Sequence, residues 1–156
     1  MRRSDRLAEL NRVSRQYLAS YVLFNQAVAD RLGMHPTDVQ CLNLLTLEAE
    51  SRTTGQIAEL TGLTSGSATR LVDRLERAGY VRRERDTGDR RKVLVHLVDE
   101  GIAEFGRMWA ELSQGWDAVF DGYTEKELAL LVRHMRRTIE LSAAQRDRLG
   151  TGSARG

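Results

Sequence analysis

The hydrophobic period of this chain changes twice along its length, and that change limits the possible folds more than any other feature. Up to Gly79, apolar residues recur at the helical spacings of three, four and seven. Two short extended runs, 81–85 and 93–97, then flank a turn-rich segment, which predicts a two-stranded hairpin. From Asp99 the helical period returns. We therefore expect a mainly α-helical (α+β) chain with about six helices and one hairpin.

The first helix is predicted over about residues 5–32, where apolar residues form one stripe. The stripe consists of Leu7, Leu10, Tyr17, Tyr21, Phe24, Val28 and Leu32. Such a helix is roughly 42 Å long, which exceeds what a small domain requires, so part of it is expected to pack on something else. Gly33 ends the stripe, and Pro36 suits the start of a second helix to about residue 48. The residues expected to be buried on it are Val39, Leu42, Leu45 and Leu47.

Two short helices joined by a tight turn follow a polar loop at residues 48–53. Thr54 is expected to cap the first of them, and Thr64 or Ser65 the second. The second helix stops at Gly79. Its inward face is formed by Ala68, Leu71, Val72 and Leu75.

After the hairpin, apolar residues step by three and four along a heptad-like seam on a fifth helix. The seam consists of Ile102, Phe105, Trp109, Leu112, Trp116 and Val119. A break at residues 121–122 precedes a capping-box pattern, Thr124 with Glu127, that begins the last helix. The Gly/Ser-rich residues 150–156 are predicted to be a disordered tail, and residues 1–149 to form one domain.

Composition and motif content exclude several classes of protein. No run approaches the roughly 18 apolar residues of a membrane helix, and no apolar signal region follows the charged start. We therefore expect a cytoplasmic protein without membrane contact. The three histidines lack ligand spacing, and no nucleotide-binding or hydrolase motif occurs. We expect no metal, no cofactor and no enzymatic activity.

Basic charge is concentrated in the middle third of the chain. Between Arg52 and His96 there are ten basic and six acidic residues, a net charge of +4, which leaves −2 for the flanks. A localised basic segment indicates an anionic partner. A helix–turn–helix followed by a hairpin wing places its second helix in the major groove of DNA. Double-stranded DNA is therefore the predicted partner.

Candidate DNA contacts lie on the helix pair and at the hairpin tip. Hydroxyl groups bond phosphates or bases, arginine suits guanine in the major groove, and a basic hairpin suits the minor groove. The candidates are Thr54, Ser65, Ser67, Thr69, Arg70, Arg74, Arg90, Arg91 and Lys92. Asp89 would repel phosphate and is expected to pair with and orient Arg91. Asp73 is expected to form a local ion pair, while phosphate contact and simple solvation stay open for Arg82, Arg83 and Arg85.

The flanking helices, about 5–32 and 100–145, carry more apolar surface than a winged unit of about 36–98 can cover. A second copy of the chain would bury this surface, so a two-fold homodimer with long dimerisation helices is expected. Its two recognition helices would read the half-sites of a pseudo-palindromic operator about 34–36 Å apart.

The run TGLTSGSATRLVDRLERAGYVRR, residues 61–83, resembles the recognition helix of the MarR (multiple antibiotic resistance regulator) family. The segment DTGDRRKVLVHL, residues 86–97, resembles that family's wing, with its Asp-x-Arg tip at Asp89 and Arg91. The motif match covers about residues 54–101.

The resemblance implies a homodimeric winged helix–turn–helix transcription factor, usually a repressor of nearby genes. It also implies release by a small, often aromatic ligand bound between the dimerisation helices and the winged unit. By this resemblance Arg70 and Arg74 match major-groove arginines, and Arg91 matches the wing arginine, whereas Arg90 is a more variable position.

Alternatives remain for the ligand response. Candidate ligand-binding residues are Tyr21, His35 and Trp109, although His35 also suits a helix cap and Trp109 a dimer core. A thiol-based redox regulator would use Cys41, the single cysteine, but a lone buried thiol is usually inert. An architectural or adaptor protein would share the winged unit and lack an effector.

Overall fold

A computed structural model describes residues 2–47 and 50–152 and shows a mainly helical chain with a small antiparallel sheet. The elements are α1 (Arg3–Leu32), α2 (Pro36–Leu47), β1 (Arg52–Thr53), α3 (Thr54–Thr61), α4 (Ser65–Arg77), β2 (Val81–Arg85), β3 (Val93–Leu97), α5 (Asp99–Leu112) and α6 (Glu125–Gly152), with a 3-10 turn (Asp117–Phe120) before α6. The chain divides into one compact unit that ends at Leu112 and another that starts at Ser113. None of the described helices has the length and hydropathy of a membrane span.

The core of the first unit forms where the end of α1 meets α2, α3, α4, α5 and the sheet. Its buried residues are Val28, Ala29, Val39, Cys41, Leu42, Leu45, Ile57, Leu71, Val72, Leu75, Val81, Val95 and Phe105. The stripe of α1 is buried only at its end, since Leu7, Leu10 and Tyr17 are about half exposed. The expected burial of Leu47 is wrong. This last residue of α2 is 79% exposed, because the helix ends past the edge of the core.

The sheet has three strands in the order β1-β3-β2. Strands β2 and β3 pair antiparallel from Val81 opposite Leu97 to Arg85 opposite Val93, which confirms the predicted hairpin. The sequence missed β1, which lies in the segment predicted as a polar loop and pairs with β3. A two-residue strand is too short to show an alternating pattern, and it forms because the second edge of β3 offers it partners.

The predicted N-caps of α4 and α6 are confirmed, and that of α3 is not. The hydroxyl of Thr64 accepts the amide of Ser67 at 3.3 Å and so caps α4. The predicted cap of α3 is wrong by one residue, because Thr53 and not Thr54 is the N-cap. The Thr53 amide donates to Gln56 Oε1 at 2.8 Å, and Thr53 Oγ1 accepts the Gln56 amide at 3.2 Å. This reciprocal pair is a capping box with glutamine in the third position.

The predicted fifth helix is too long. Helix α5 ends at Leu112, and Gly115 adopts a left-handed backbone with φ 87°, which turns the chain. Trp116 and Val119 therefore lie outside α5, and Val119 is 65% exposed. The left-handed region suits glycine because it has no Cβ.

The capping box of the last helix is confirmed. The Thr124 amide and hydroxyl both donate to Glu127 Oε2, and these bonds lower the pKa of the Glu127 carboxyl. Helix α6 continues to Gly152, past the predicted start of the disordered tail at residue 150. Residues 153–156 of that tail lie outside the described residues, and the domain extent of 1–149 stays a prediction.

The first turn of α5 packs directly on the turn between α4 and β2. The Val98 amide donates to the Tyr80 carbonyl at 2.9 Å, and the rings of Tyr80 and Phe105 meet edge to face at 6.1 Å. A Cβ on Gly101 would overlap the carbonyl oxygen of Gly79 and lie 3.2 Å from the Tyr80 Cα. Only glycine at 101 permits this close approach of two backbones.

We expect Gly101→Ala to lower the free energy of unfolding by about 1–3 kcal/mol, because the added methyl group meets backbone that cannot move aside freely. Gly106→Ala on the same helix is the matched control, since a Cβ there meets nothing within 4 Å. That control should raise stability by up to about 1 kcal/mol through helix propensity. Urea unfolding monitored by circular dichroism measures both, and equal effects of the two substitutions would contradict the packing argument.

Candidate nucleic-acid interface

Helix α4 buries one face and exposes the other. Ala68, Leu71, Val72 and Leu75 are buried, which confirms the predicted inward face. Helical geometry of about 100° per residue places Arg70 and Arg77 near the centre of the opposite face, and both are exposed. The N-terminus of α4, next to Arg70, carries the positive end of the helix dipole. This end of the helix is therefore suited to an anionic partner.

Hydroxyl groups at the start of α4 order the arginine beside them. Ser67 Oγ accepts from Thr64 Oγ1 at 3.1 Å and from Arg70 Nη2 at 3.2 Å. Thr69 donates its hydroxyl to the Ser65 carbonyl at 2.9 Å, and Ser65 itself is exposed. Arg70 forms no ion pair with any described residue, so its charge is available to a ligand.

Arg74 has a partner that the sequence did not reveal. Its Nε donates to Asp38 Oδ2 at 2.8 Å and its Nη2 to Asp38 Oδ1 at 2.6 Å. Asp38 is 3% exposed on the first turn of α2, and the carboxylate raises the pKa of the Arg74 guanidinium. DNA contact by Arg74 stays a prediction, and it would have to coexist with this fork.

Arg83 joins the first wing strand to α4. Its guanidinium contacts Asp73 at 2.7 Å and Glu76 at 2.6 Å, and its amide donates to Glu76 at 2.9 Å. The local ion pair expected for Asp73 is therefore confirmed. Arg82 pairs with Glu84 at 2.7 Å on the same strand. Both arginines have a carboxylate partner, although Arg82 is exposed, as is Arg85.

The wing tip exposes Arg90, Arg91 and Lys92. Within residues 2–47 and 50–152, none of the three forms an ion pair. Asp89 accepts the backbone amide of Arg91 at 3.1 Å and, through its carbonyl, the amide of Lys92 at 2.8 Å. The expected side-chain pair between Asp89 and the Arg91 guanidinium is not what the structure has. Asp89 instead shapes the backbone of the tip, and the Arg91 side chain is exposed.

Thr54 is the first residue of α3 and is half-buried. It belongs to the helix that precedes the recognition helix, not to the exposed start of α4 itself. Its DNA contact stays a prediction.

The three candidate ligand residues lie in different settings. Trp109 is half-buried on α5, edge to face with Phe24 at 6.0 Å and stacked near Phe105 at 6.2 Å. His35 is exposed at the start of α2, where its Nδ1 lies 2.8 Å from Thr37 Oγ1, which matches the helix-cap alternative. Tyr21 is 40% exposed on α1. The surface grooves along α1 and along α6 are lined by none of the three.

Cys41 is buried on α2. Burial raises the pKa of its thiol to about 12, and the charge of Asp38 adds to the increase. The thiol is therefore neutral at physiological pH, whereas the reactive form of cysteine is the thiolate. Burial and a raised pKa both disfavour the redox alternative, which stays a prediction.

An exposed, cationic recognition helix followed by a hairpin with a basic tip defines a winged helix–turn–helix DNA-binding protein. Comparisons with known proteins agree. A model of the MarR family matches residues 32–92. The chain is 38% identical over 128 residues to YcgE, an HTH-type transcriptional regulator of Bacillus subtilis (strain 168), and the match covers 82% of each protein. The chain belongs to the MarR family of transcriptional regulators.

Solved structures share the fold. A MarR family protein from Bacillus stearothermophilus superposes with a TM-score of 0.68 at 22% identity, over 91% of this chain and 99% of that one. CouR from Rhodococcus jostii RHA1, determined with bound p-coumaroyl-CoA, superposes with a TM-score of 0.62 at 26% identity. That match covers 82% of this chain and 87% of CouR.

We expect Cys41 in the folded protein to resist a thiol reagent such as DTNB at about pH 8, because its thiol is buried and protonated. In denaturant one thiol per chain should react at once. The raised pKa also predicts that the free energy of unfolding falls above about pH 9, where only the unfolded thiol ionises. Rapid labelling without denaturant would contradict the assignment.

Proposed function

We propose that this protein is a homodimeric repressor that binds a pseudo-palindromic operator and is released by a small ligand with an aromatic group. One observation carries the DNA-reading part of the proposal. The exposed face of α4 and the wing tip hold cationic side chains, Arg70, Arg90, Arg91 and Lys92, that no described carboxylate neutralises. Cations left unpaired on two successive elements fit the phosphates and base edges of one duplex.

Exposed apolar side chains on two long helices support the dimer. On α1, Leu18, Val22 and Leu23 are each more than 60% exposed. On α6, Ile139 and Leu141 are likewise 60% exposed or more. Apolar rows of this length on both helices indicate a protein partner. A second copy is the simplest one, because a two-fold dimer also provides two reading heads.

The ligand response is supported by one solved structure. CouR, at 26% identity, is a protein solved with an aromatic CoA thioester. We extend this chemistry to the present chain, with Tyr21, His35 and Trp109 as the candidate contacts. Trp109 provides the readout, because an aromatic ligand near its ring would change its fluorescence.

A binding titration on the DNA upstream of the protein's own gene tests the proposal, with excess unrelated competitor at physiological salt. A nanomolar complex that resists competitor and gives a two-fold symmetric footprint is expected, together with a dimer mass in solution. Displacement by aromatic acids or their CoA thioesters would support the ligand response. Specific binding that no such compound weakens favours the architectural alternative, and weak binding to every sequence contradicts the regulator.

Arg70→Ala should weaken operator binding by about 1–3 kcal/mol and relax the base preference at one position of each half-site, because alanine cannot form the bidentate bond of arginine to guanine. Arg77→Ala, on the same exposed face but at the far end of α4, is the matched control and should keep the preference. Base preference is measured by competition among operators mutated one position at a time. An unchanged preference in Arg70→Ala would remove its base-reading role.

Arg91→Ala should lower affinity on every sequence and flatten the slope of log affinity against log salt by about 1 for each phosphate that the arginine neutralises. Arg107→Ala on α5 removes an equal charge outside the winged unit and should leave the slope unchanged. Titrations at several salt concentrations give the slopes. Identical slopes for Arg91→Ala and wild type would show that the wing arginine touches no phosphate.

A further inference from the structure

The recognition helix α4 is tied to α2 by one buried, two-pronged ion pair. Both carboxylate oxygens of Asp38 accept from the Arg74 guanidinium, at 2.8 and 2.6 Å. Asp38 is almost fully buried, while the side chain of Arg74 is 38% exposed. The fork therefore points into the protein, toward α2, and not out along the exposed face of the helix.

The Nε and Nη2 groups of Arg74 cannot donate to a base edge while they donate to Asp38. Turning the guanidinium toward DNA would leave the Asp38 carboxylate buried without a charged partner, which is strongly unfavourable. Helical geometry also turns Arg74 about 40° away from Arg70, and the bond to Asp38 shows that the turn is toward α2. Arg74 therefore faces α2, whereas Arg70, four residues earlier, faces solvent.

We propose that Arg74 is a positioning residue for DNA reading. Through Asp38 it sets the rotation and height of α4 on α2, and so aims Arg70 and the hydroxyls beside it at the base edges. This inference rests on the proposed sequence-specific binding. It departs from the expectation that Arg70 and Arg74 are a pair of base-reading arginines.

The opposite flank of α4 supports this role. There Arg83 of β2 contacts Asp73 and Glu76, so the helix is held by charged forks on both sides. Apolar burial decides which face of a helix turns inward, but the hydrophobic effect is non-directional and fixes the exact rotation less sharply. A planar guanidinium on a carboxylate fixes both distance and angle.

Arg74→Lys separates a positioning role from a direct contact with DNA. Arg74→Lys keeps the positive charge that a phosphate would need and removes the fork that Asp38 needs. Asp38→Asn does the converse, because it leaves the whole guanidinium free to reach DNA. A positioning role predicts that both substitutions harm sequence reading. A phosphate-contact role predicts that both are tolerated.

The probe is a duplex that the wild-type protein enriches from a random library, compared with a shuffled duplex of equal length and composition. The readout is the ratio of the two dissociation constants, measured on full-length protein that circular dichroism shows to be folded. We expect Arg74→Lys and Asp38→Asn each to reduce this ratio at least tenfold. Affinity for the shuffled duplex and the salt slope should stay close to wild type. Arg77→Lys, one turn further along the exposed side, is the control and should keep the ratio.

A cycle of Asp38→Asn, Arg74→Gln and the double variant completes the test. An effect that acts through one shared pair predicts that the double variant is no worse than either single. A merely structural role would lower unfolding stability and leave the ratio unchanged in folded protein, which would overturn the proposal. So would a retained ratio in Asp38→Asn with a decrease confined to Arg74→Gln and a flatter salt slope, because that pattern is a direct DNA contact.

Two further results distinguish a failure of the positioning role from a variant that does not fold and from a failure of the proposed function. Where Asp38→Asn does not fold, Asp38→Glu replaces it, since the longer carboxylate keeps the charge and displaces the fork, and the same fall in the ratio is expected. If the wild-type protein enriches no sequence from the library, the proposed function fails and this role of Arg74 fails with it. A wild type that enriches a sequence while Arg74→Lys reads it equally well overturns the positioning role alone.

Discussion

Burial of one face of α4 is the constraint on which the winged unit depends. Leu71, Val72 and Leu75 are almost wholly removed from water, and each contributes about 1.5–3 kcal/mol through that burial. The helix reaches α2, α3 and β2 with this face. The face of a helix opposite its buried face is exposed, so the same burial decides which residues are presented to solvent. Arg70 is exposed because Ala68 and Leu71 are not.

The arginines of the basic segment fall into two groups, those that pair with a carboxylate among the described residues and those that do not. Arg74, Arg82 and Arg83 are engaged by carboxylates of the protein itself. Arg70, Arg90 and Arg91 are exposed with their charge open to a partner. In the first group, Arg74 and Arg83 join α4 to α2 and β2, whereas Arg82 pairs within its own strand. The second group can meet DNA. A net charge counted along the sequence cannot separate the groups, because pairing depends on which carboxylate lies nearby in space.

Much of the fold follows from local chemistry that is visible in the sequence. The inward face of α4, the Thr64 cap and the Thr124 box each depend on residues within one helix, and the β2–β3 hairpin on two adjacent strands. The errors have a different origin. Strand β1 forms because the second edge of β3 is open to pairing. Leu47 is exposed because α2 extends beyond the edge of the core. Both depend on where distant segments lie.

The order of elements, the helix–turn–helix and the basic wing tip are predictable from the amino-acid sequence alone, because periodicity, caps and turns are short-range effects. The candidate contacts at Arg70 and at the wing tip followed from that order. The partner of Arg74 is visible only in the folded chain. Asp38 lies 36 positions earlier in the chain, and nothing local marks it as the acceptor. The same is true of Gly101, whose need for glycine comes from the Gly79 backbone. Contacts across such separations are set by packing of the whole unit, which one sequence does not display.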